Sequence, residues 1–172
     1  LDIGTGPAQI PVKILARIPS LKIIGVDRSS NMLACARRNA EQAGVSDRLA
    51  LVRSDGHALP FADGTFSVVL CNSVLHHLDQ PGRRFAEIAR VASPTGAILL
   101  RDLQRPSRLK YPLHVRWHGR HYSGLMYKLY CDSVRAPYTP EELAGLLRAS
   151  PLRDTRLFTL GRTHLGFERP AG

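Results

Sequence analysis

The sequence predicts an α/β protein: a doubly wound, mostly parallel sheet with an antiparallel hairpin at its C-terminal edge. Three observations carry this expectation. Strand-like apolar runs alternate with helical segments through the first hundred residues, the order of parallel strands joined by crossover helices. The opening run Asp2-Ile3-Gly4-Thr5-Gly6-Pro7 turns through two glycines directly into a helix. At the other end, residues 155–160 and 164–168 are separated only by Gly161-Arg162-Thr163 and read as a hairpin.

Taken in order, Leu1 already lies inside strand one, which is central in such a sheet. An N-terminal helix and the start of that strand are therefore expected upstream of Leu1. Residues 8–18 form the first helix, with Pro11 tolerated because it lies in the opening turn. Ile23-Ile24-Gly25-Val26 is the second strand and ends in Asp27. Ser29 or Ser30 caps a helix that runs through Ala43 and stops at Gly44. Residues 49–53 and 66–72 are strands three and four. A helix follows from about 80 to 91 with Asp79 as its N-cap, and strand five spans 97–102 after the turn Ser93-Pro94-Thr95-Gly96. Thr139-Pro140-Glu141-Glu142 opens a last helix, with Thr at N-cap, Pro at N1 and two acids meeting the dipole. That helix ends near Ser150-Pro151.

Composition sets further bounds. A length of 172 residues indicates one domain, and 44% hydrophobic with 22% charged residues is ordinary for a globular chain. No apolar run approaches the ~20 residues of a membrane span. Cys35, Cys71 and Cys131 are scattered and odd in number, which suggests free thiols in a reducing cytoplasm. The net charge of +10 is concentrated: residues 104–138 hold seven Lys/Arg against Asp132 alone, together with all five tyrosines and Trp117. This stretch reads as a basic, aromatic-rich, lid-like insertion, or else as a solvated basic face.

The glycine turn and Asp27 together point to a nucleoside-containing ligand, because a carboxylate at a strand tip can accept from a vicinal diol. A dinucleotide fingerprint needs a small residue at position 9, where Gln9 stands; the small residue is Ala8. D-x-G-x-G-x-A suits a cofactor without phosphates. Arg28 would suit the 2′-phosphate of NADP, but the Tyr-x-x-x-Lys pair of short-chain reductases is absent. Asp27 has a competing role as the cap residue before Ser29.

Downstream, Leu51-Val52-Arg53-Ser54-Asp55-Gly56 ends a strand in an acid and a glycine. Asp63-Gly64-Thr65-Phe66-Ser67 then leads into Val68-Val69-Leu70-Cys71-Asn72 and Ser73-Val74-Leu75-His76-His77-Leu78. Over residues 1–103 the chain resembles the class I S-adenosylmethionine-dependent methyltransferases, with a Rossmann-like sheet. The nearest likeness is to the small-molecule group that includes the quinone-biosynthesis methyltransferases. It departs from their pattern at Ala8, at Ser67 and in the turn 93–96.

The resemblance implies S-adenosylmethionine as cofactor, held by Asp2, Gly4, Thr5, Gly6, Asp27, Arg28, Asp55, Gly56 and Asn72. In it Asp27 takes the ribose hydroxyls, Asp55 the adenine amino group, and Asp2 lies near the amino end. Asp55 also fits an ordinary Asp-Gly turn, and Asp2 a carboxylate that caps the loop amides. An acceptor atom attacks the methyl in line as the thioether leaves. His76 or His77 is the candidate base, since imidazole titrates near neutrality. Trp117, Arg116 and Arg120 are the candidate substrate contacts, stacking a planar acceptor and steering an anionic group. His114, His118 and His121 share a helical face, but basic neighbours and the lack of a nearby carboxylate argue against a metal there. The expected partner is a small-molecule acceptor. A nucleic-acid methyltransferase or binder using 104–138, and a non-catalytic interaction protein retaining the fold, are the alternatives; the oligomeric state is open.

Overall fold

The computed structural model describes every residue except 76–79 and 162. The elements run β1 (Asp2–Ile3), α1 (Gln9–Arg17), β2 (Ile23–Asp27), α2 (Ser30–Gln42), β3 (Leu49–Arg53), β4 (Phe66–Asn72) and α3 (Pro81–Val91). Then come β5 (Ala92–Leu103), α4 (Tyr111–His118), α5 (Gly124–Arg135), α6 (Pro140–Arg148), β6 (Arg156–Leu160) and β7 (His164–Arg169). They build one seven-stranded sheet in the order β3-β2-β1-β4-β5-β7-β6. β7 runs antiparallel to both its neighbours, and the first five strands are parallel. The order reverses between β1 and β4, so the carboxyl ends of these two strands open the crevice where ligands bind in such sheets.

Side-chain alternation along the strands covers both faces. Ile23 and Leu49 pack with Leu15 of α1 and with Ala36 and Ala40 of α2. Their strand neighbours Ile24 and Val52 point the other way, toward the larger cluster of Val26, Val69, Cys71, Phe85 and Phe167. α3 and α6 cover that second face: Phe85 meets Phe167 edge to face at 5.4 Å, and Leu143 and Leu147 close the layer. This two-sided burial explains why the strands read as continuous apolar runs.

The expected elements are present, with two differences of local chemistry. The N-cap position of α3 is taken by Gln80, in a left-handed backbone; Asp79, expected there, lies outside the described residues. β5 begins at Ala92 rather than at 97, because Ala92 pairs with Phe66 and Ala97 with Val68. The turn 93–96 survives inside the longer strand as an outward excursion opposite Ser67, and Gly96 is needed there because a Cβ would come 2.9 Å from the Phe66 carbonyl. Residues 104–138, the lid-like insertion, contain a helical pair, α4 and α5, joined by the 3-10 turn Gly119–His121.

Both ends of that pair are pinned by Arg105. Its Nε donates to the carbonyls of Arg135 and Pro137, and Nη1 meets Glu142 at 2.9 Å. α6 carries the full capping box: Thr139 accepts from the Glu142 amide at 3.3 Å, and Glu142 accepts from the Thr139 amide at 3.0 Å. Thr139→Ala should therefore cost ~1 kcal/mol of stability. Urea unfolding followed by circular dichroism measures it, and an unchanged midpoint would show that the box contributes nothing.

Candidate cofactor site

The site starts where β1 ends. The amides of Gly4 and Thr5 both donate to the Val26 carbonyl, at 2.8 and 2.9 Å, as the chain peels away from the sheet. Gly4 has φ +72°, and a Cβ there would overlap the Val74 side chain. Gly6 has φ +53° with open space where a Cβ would stand. One glycine thus lets β1 approach the loop after β4; the other exposes backbone to the crevice.

Asp27 closes the turn. Its Oδ2 accepts from the Gly6 amide at 2.9 Å, and its Oδ1 accepts from the Ser29 amide at 2.8 Å. A single carboxylate therefore fixes the glycine loop and the start of α2 together, and each oxygen keeps acceptor capacity for a ligand. The cap of α2 belongs to Ser29, whose hydroxyl accepts from the Met32 amide.

The third wall is the loop after β3. Asp55 Oδ1 accepts from the His57 amide at 2.8 Å, and this bond, chiefly, holds its carboxyl below the usual carboxylate range. Behind it stands Arg84 of α3, almost fully buried, which donates to the Asp55 carbonyl and lies 3.1 Å from His57 Nε2. Gly56 has φ +74°, and a Cβ there would come 2.6 Å from the Arg84 guanidinium.

These walls enclose a cavity of about 490 Å³ lined by Gly4, Gly6, Asp27, Arg28, Asp55 and Gly56, six of the residues singled out in the sequence. Asp2, Thr5 and Asn72 are not in its lining. Asp2 is buried behind the loop, and burial, helped by the charge of Asp27 and opposed by the Thr5 hydroxyl, raises its pKa to about 6. Thr5 packs against Gly25, where a Cβ would come 2.9 Å from its hydroxyl. Asn72 is turned to its neighbours, donating to the Ser73 hydroxyl and accepting from Arg101.

His76 and His77 lie outside the described residues. Arg116, Trp117 and Arg120 are exposed and do not line the cavity; Trp117 belongs to a separate groove with Lys110, Leu113, His114 and His118, and Arg120 stacks over its ring at 4.9 Å. His114 and His118 have ring centroids 4.7 Å apart.

The cavity also uses residues that sequence reasoning passed over: Ser54, Ser73, Val74 and Arg84. Arg84 had a legible signal. It shares the helical face of Ile88 and Val91, both buried, so an arginine stood on an apolar stripe. Ser73 had none; its φ of +56° appears only in three dimensions. Ala8 at +57° shares this left-handed backbone, strain of order 1–3 kcal/mol each.

A family model described as a methyltransferase domain matches residues 1–100. The chain is 27% identical to the demethylmenaquinone methyltransferase of Thermus thermophilus, over 99% of this chain and 82% of that protein. It is 33% identical to the malonyl-[acyl-carrier protein] O-methyltransferase of Legionella pneumophila, over 60% of this chain and 35% of that protein. Among solved structures, a SAM dependent methyltransferase from Aquifex aeolicus shares the fold with a TM-score of 0.69, at 18% identity over 97% of this chain and 78% of that one.

The raised pKa of Asp2 gives a pH signature. The folded state holds this proton more tightly than the unfolded chain does, so the contribution of Asp2 to stability falls as pH climbs from about 4 to about 6 and is constant above. Asp2→Asn should remove that fall, gaining on the order of 2–3 kcal/mol relative to the parent at pH 7 but little at pH 4. Denaturant melts at both pH values test it; an equal effect at both would place an ionised Asp2 in the native state throughout.

Proposed function

The chain belongs to the methyltransferase-domain family, and from this we propose that it transfers the methyl group of S-adenosylmethionine to a small-molecule acceptor. The observation that carries the reading is the cavity wall itself, with glycine backbone on one side and two carboxylates, Asp27 and Asp55, on the others. Such a wall, with Arg28 and Arg84 beside the two carboxylates, suits a zwitterionic, hydroxyl-rich ligand. It suits a pyrophosphate poorly, because Pro11 removes an N–H from the first turn of α1. A volume of about 490 Å³ falls within the range of small-molecule sites.

Asp27 would receive the ribose hydroxyls, Asp55 the adenine amino group, and Gly4 and Gly6 would let the amino-acid portion lie against the backbone. When bound, S-adenosylmethionine supplies an electrophilic methyl on a sulfonium centre. The protein's part is to orient the acceptor toward it and to exclude water. Ser73 and Val74 bring the end of β4 to the cavity rim, and the following residues carry His76 and His77, one of which takes the acceptor's proton in our reading.

The α4–α5 pair leaves the sheet from the carboxyl end of β5, the same end as the cavity, and we assign it the cover over the acceptor. A quinol-type aromatic acceptor is the substrate class we favour. The relative of that activity aligns along nearly the whole chain, α4–α5 and hairpin included, whereas the acyl-carrier O-methyltransferase aligns over only part of it.

Asp27→Ala should weaken S-adenosylhomocysteine binding by ~1.5–3 kcal/mol in calorimetry, the worth of hydrogen bonds to a charged group. Unchanged affinity would remove Asp27 from the site, and tighter binding of NADP would overturn the cofactor. For the base, replacing the responsible histidine with Ala should lower kcat ~10²–10⁴-fold on a demethylated quinol and abolish the acidic limb of its pH profile. If neither His76→Ala nor His77→Ala does so, proton removal lies elsewhere.

A further inference from the structure

The aromatic and basic residues of 104–138 divide into two sets. The tyrosines hold the helical pair together: Tyr111 donates to the Cys131 carbonyl under Arg135, Tyr122 stacks on Tyr130 at 5.2 Å, and Gly119 is small because Tyr127 and Tyr130 press against it. Arg105 and Arg135 are likewise used internally. The other set faces outward. Leu109 is 94% exposed, Leu113 70%, Leu125 69% and Trp117 62%, with Met126 and Leu129 also more than half exposed. Leu113 and Trp117 share a helix face, and Leu109 precedes them by the same interval. The same segment carries Arg108, Lys110, Arg116, Arg120 and Lys128, all exposed, with Asp132 its sole acid.

From this we infer that the outer face of α4–α5 docks on a lipid bilayer bearing anionic headgroups. Large aliphatic side chains left in water on a segment rich in cations, with a tryptophan among them, fit the headgroup boundary, where apolar groups enter the acyl region and the cations meet phosphates. Arg120 stacks over the face of the Trp117 ring, so a cation accompanies the indole. Two other occupants fit less well. A second copy would set two segments of the same strong positive charge against each other. A nucleic acid would satisfy the cations but give no use to the exposed leucines, which neither stack on bases nor bond to phosphate. The inference does not depend on methyl transfer, because docking is read without turnover and cofactor affinity is titrated separately.

Trp117 is the only tryptophan, so its emission reports this face alone. The protein should show a blue shift on mixing with phosphatidylcholine–phosphatidylglycerol vesicles, and quenching by brominated acyl chains. It should show much less of either with phosphatidylcholine alone, and the response should fade at about 1 M salt, where charges are screened beyond ~3 Å. Arg116→Gln and Lys128→Gln should each weaken partitioning roughly fivefold. The double variant Leu113→Gln, Leu125→Gln should abolish acyl-chain quenching; both positions are exposed, and an unchanged melt verifies the fold. Unshifted emission with anionic vesicles overturns the inference. So does a shift that arises without lipid as protein concentration rises, one that arises with RNA but not with vesicles, or quenching that survives the leucine substitutions.

Discussion

One carboxylate organises this molecule's working end. Asp27 ends β2 and holds the Gly6 amide with one oxygen and the Ser29 amide with the other. The glycine loop and the start of α2 therefore cannot move independently. Everything lining the crevice on that side, from Gly4 to Met32, is placed relative to this one side chain. Both oxygens keep acceptor capacity at the cavity wall, so the ribose contact we propose for Asp27 would share the geometry of its structural role. The loop is in this way set before a ligand arrives, which lowers the ordering cost of binding.

The opposite wall is fixed differently. Arg84 is an arginine on the buried face of α3, and it reaches across to the carbonyl of Asp55 and the ring of His57. Burying a guanidinium is tolerated when its donors are used, and here Nη1 and Nη2 tie a surface loop to the core. Gly56 completes the arrangement by having no side chain where Arg84 passes. The backbone strain at Ala8 and Ser73 lies on the same segments, where surrounding contacts over-determine the chain path.

The α4–α5 pair shows how one composition can serve two purposes. Its tyrosines pack against each other and against Gly119, with Tyr122 and Tyr127 still partly exposed. Its leucines and Trp117 are left outside that packing. Aromatic content alone says nothing of which residues are inward. A tyrosine can bury its ring and keep its hydroxyl bonded, as Tyr111 does to Cys131, whereas a leucine that finds no packing partner stays in water.

By itself the sequence determined the strand–helix order, the bounds of β3 and β4 to the residue, the capping box at Thr139 and Glu142, and six of the cavity residues. The elements and the box rest on local rules, namely apolar runs, cap chemistry and glycine at turns, and the cavity residues rest on the glycine turn, the acids at strand tips and the family resemblance. The tertiary structure decided that Asp2 and Thr5 lie behind the loop, that Asn72 faces Arg101, and that Arg84 reaches the cavity from a helix about thirty residues from the loop it holds. It also decided that Trp117 stands away from the cavity. Each of these depends on which way a side chain points between elements distant in the chain. That direction is set by the competition for buried volume and hydrogen-bond partners, which no local pattern records.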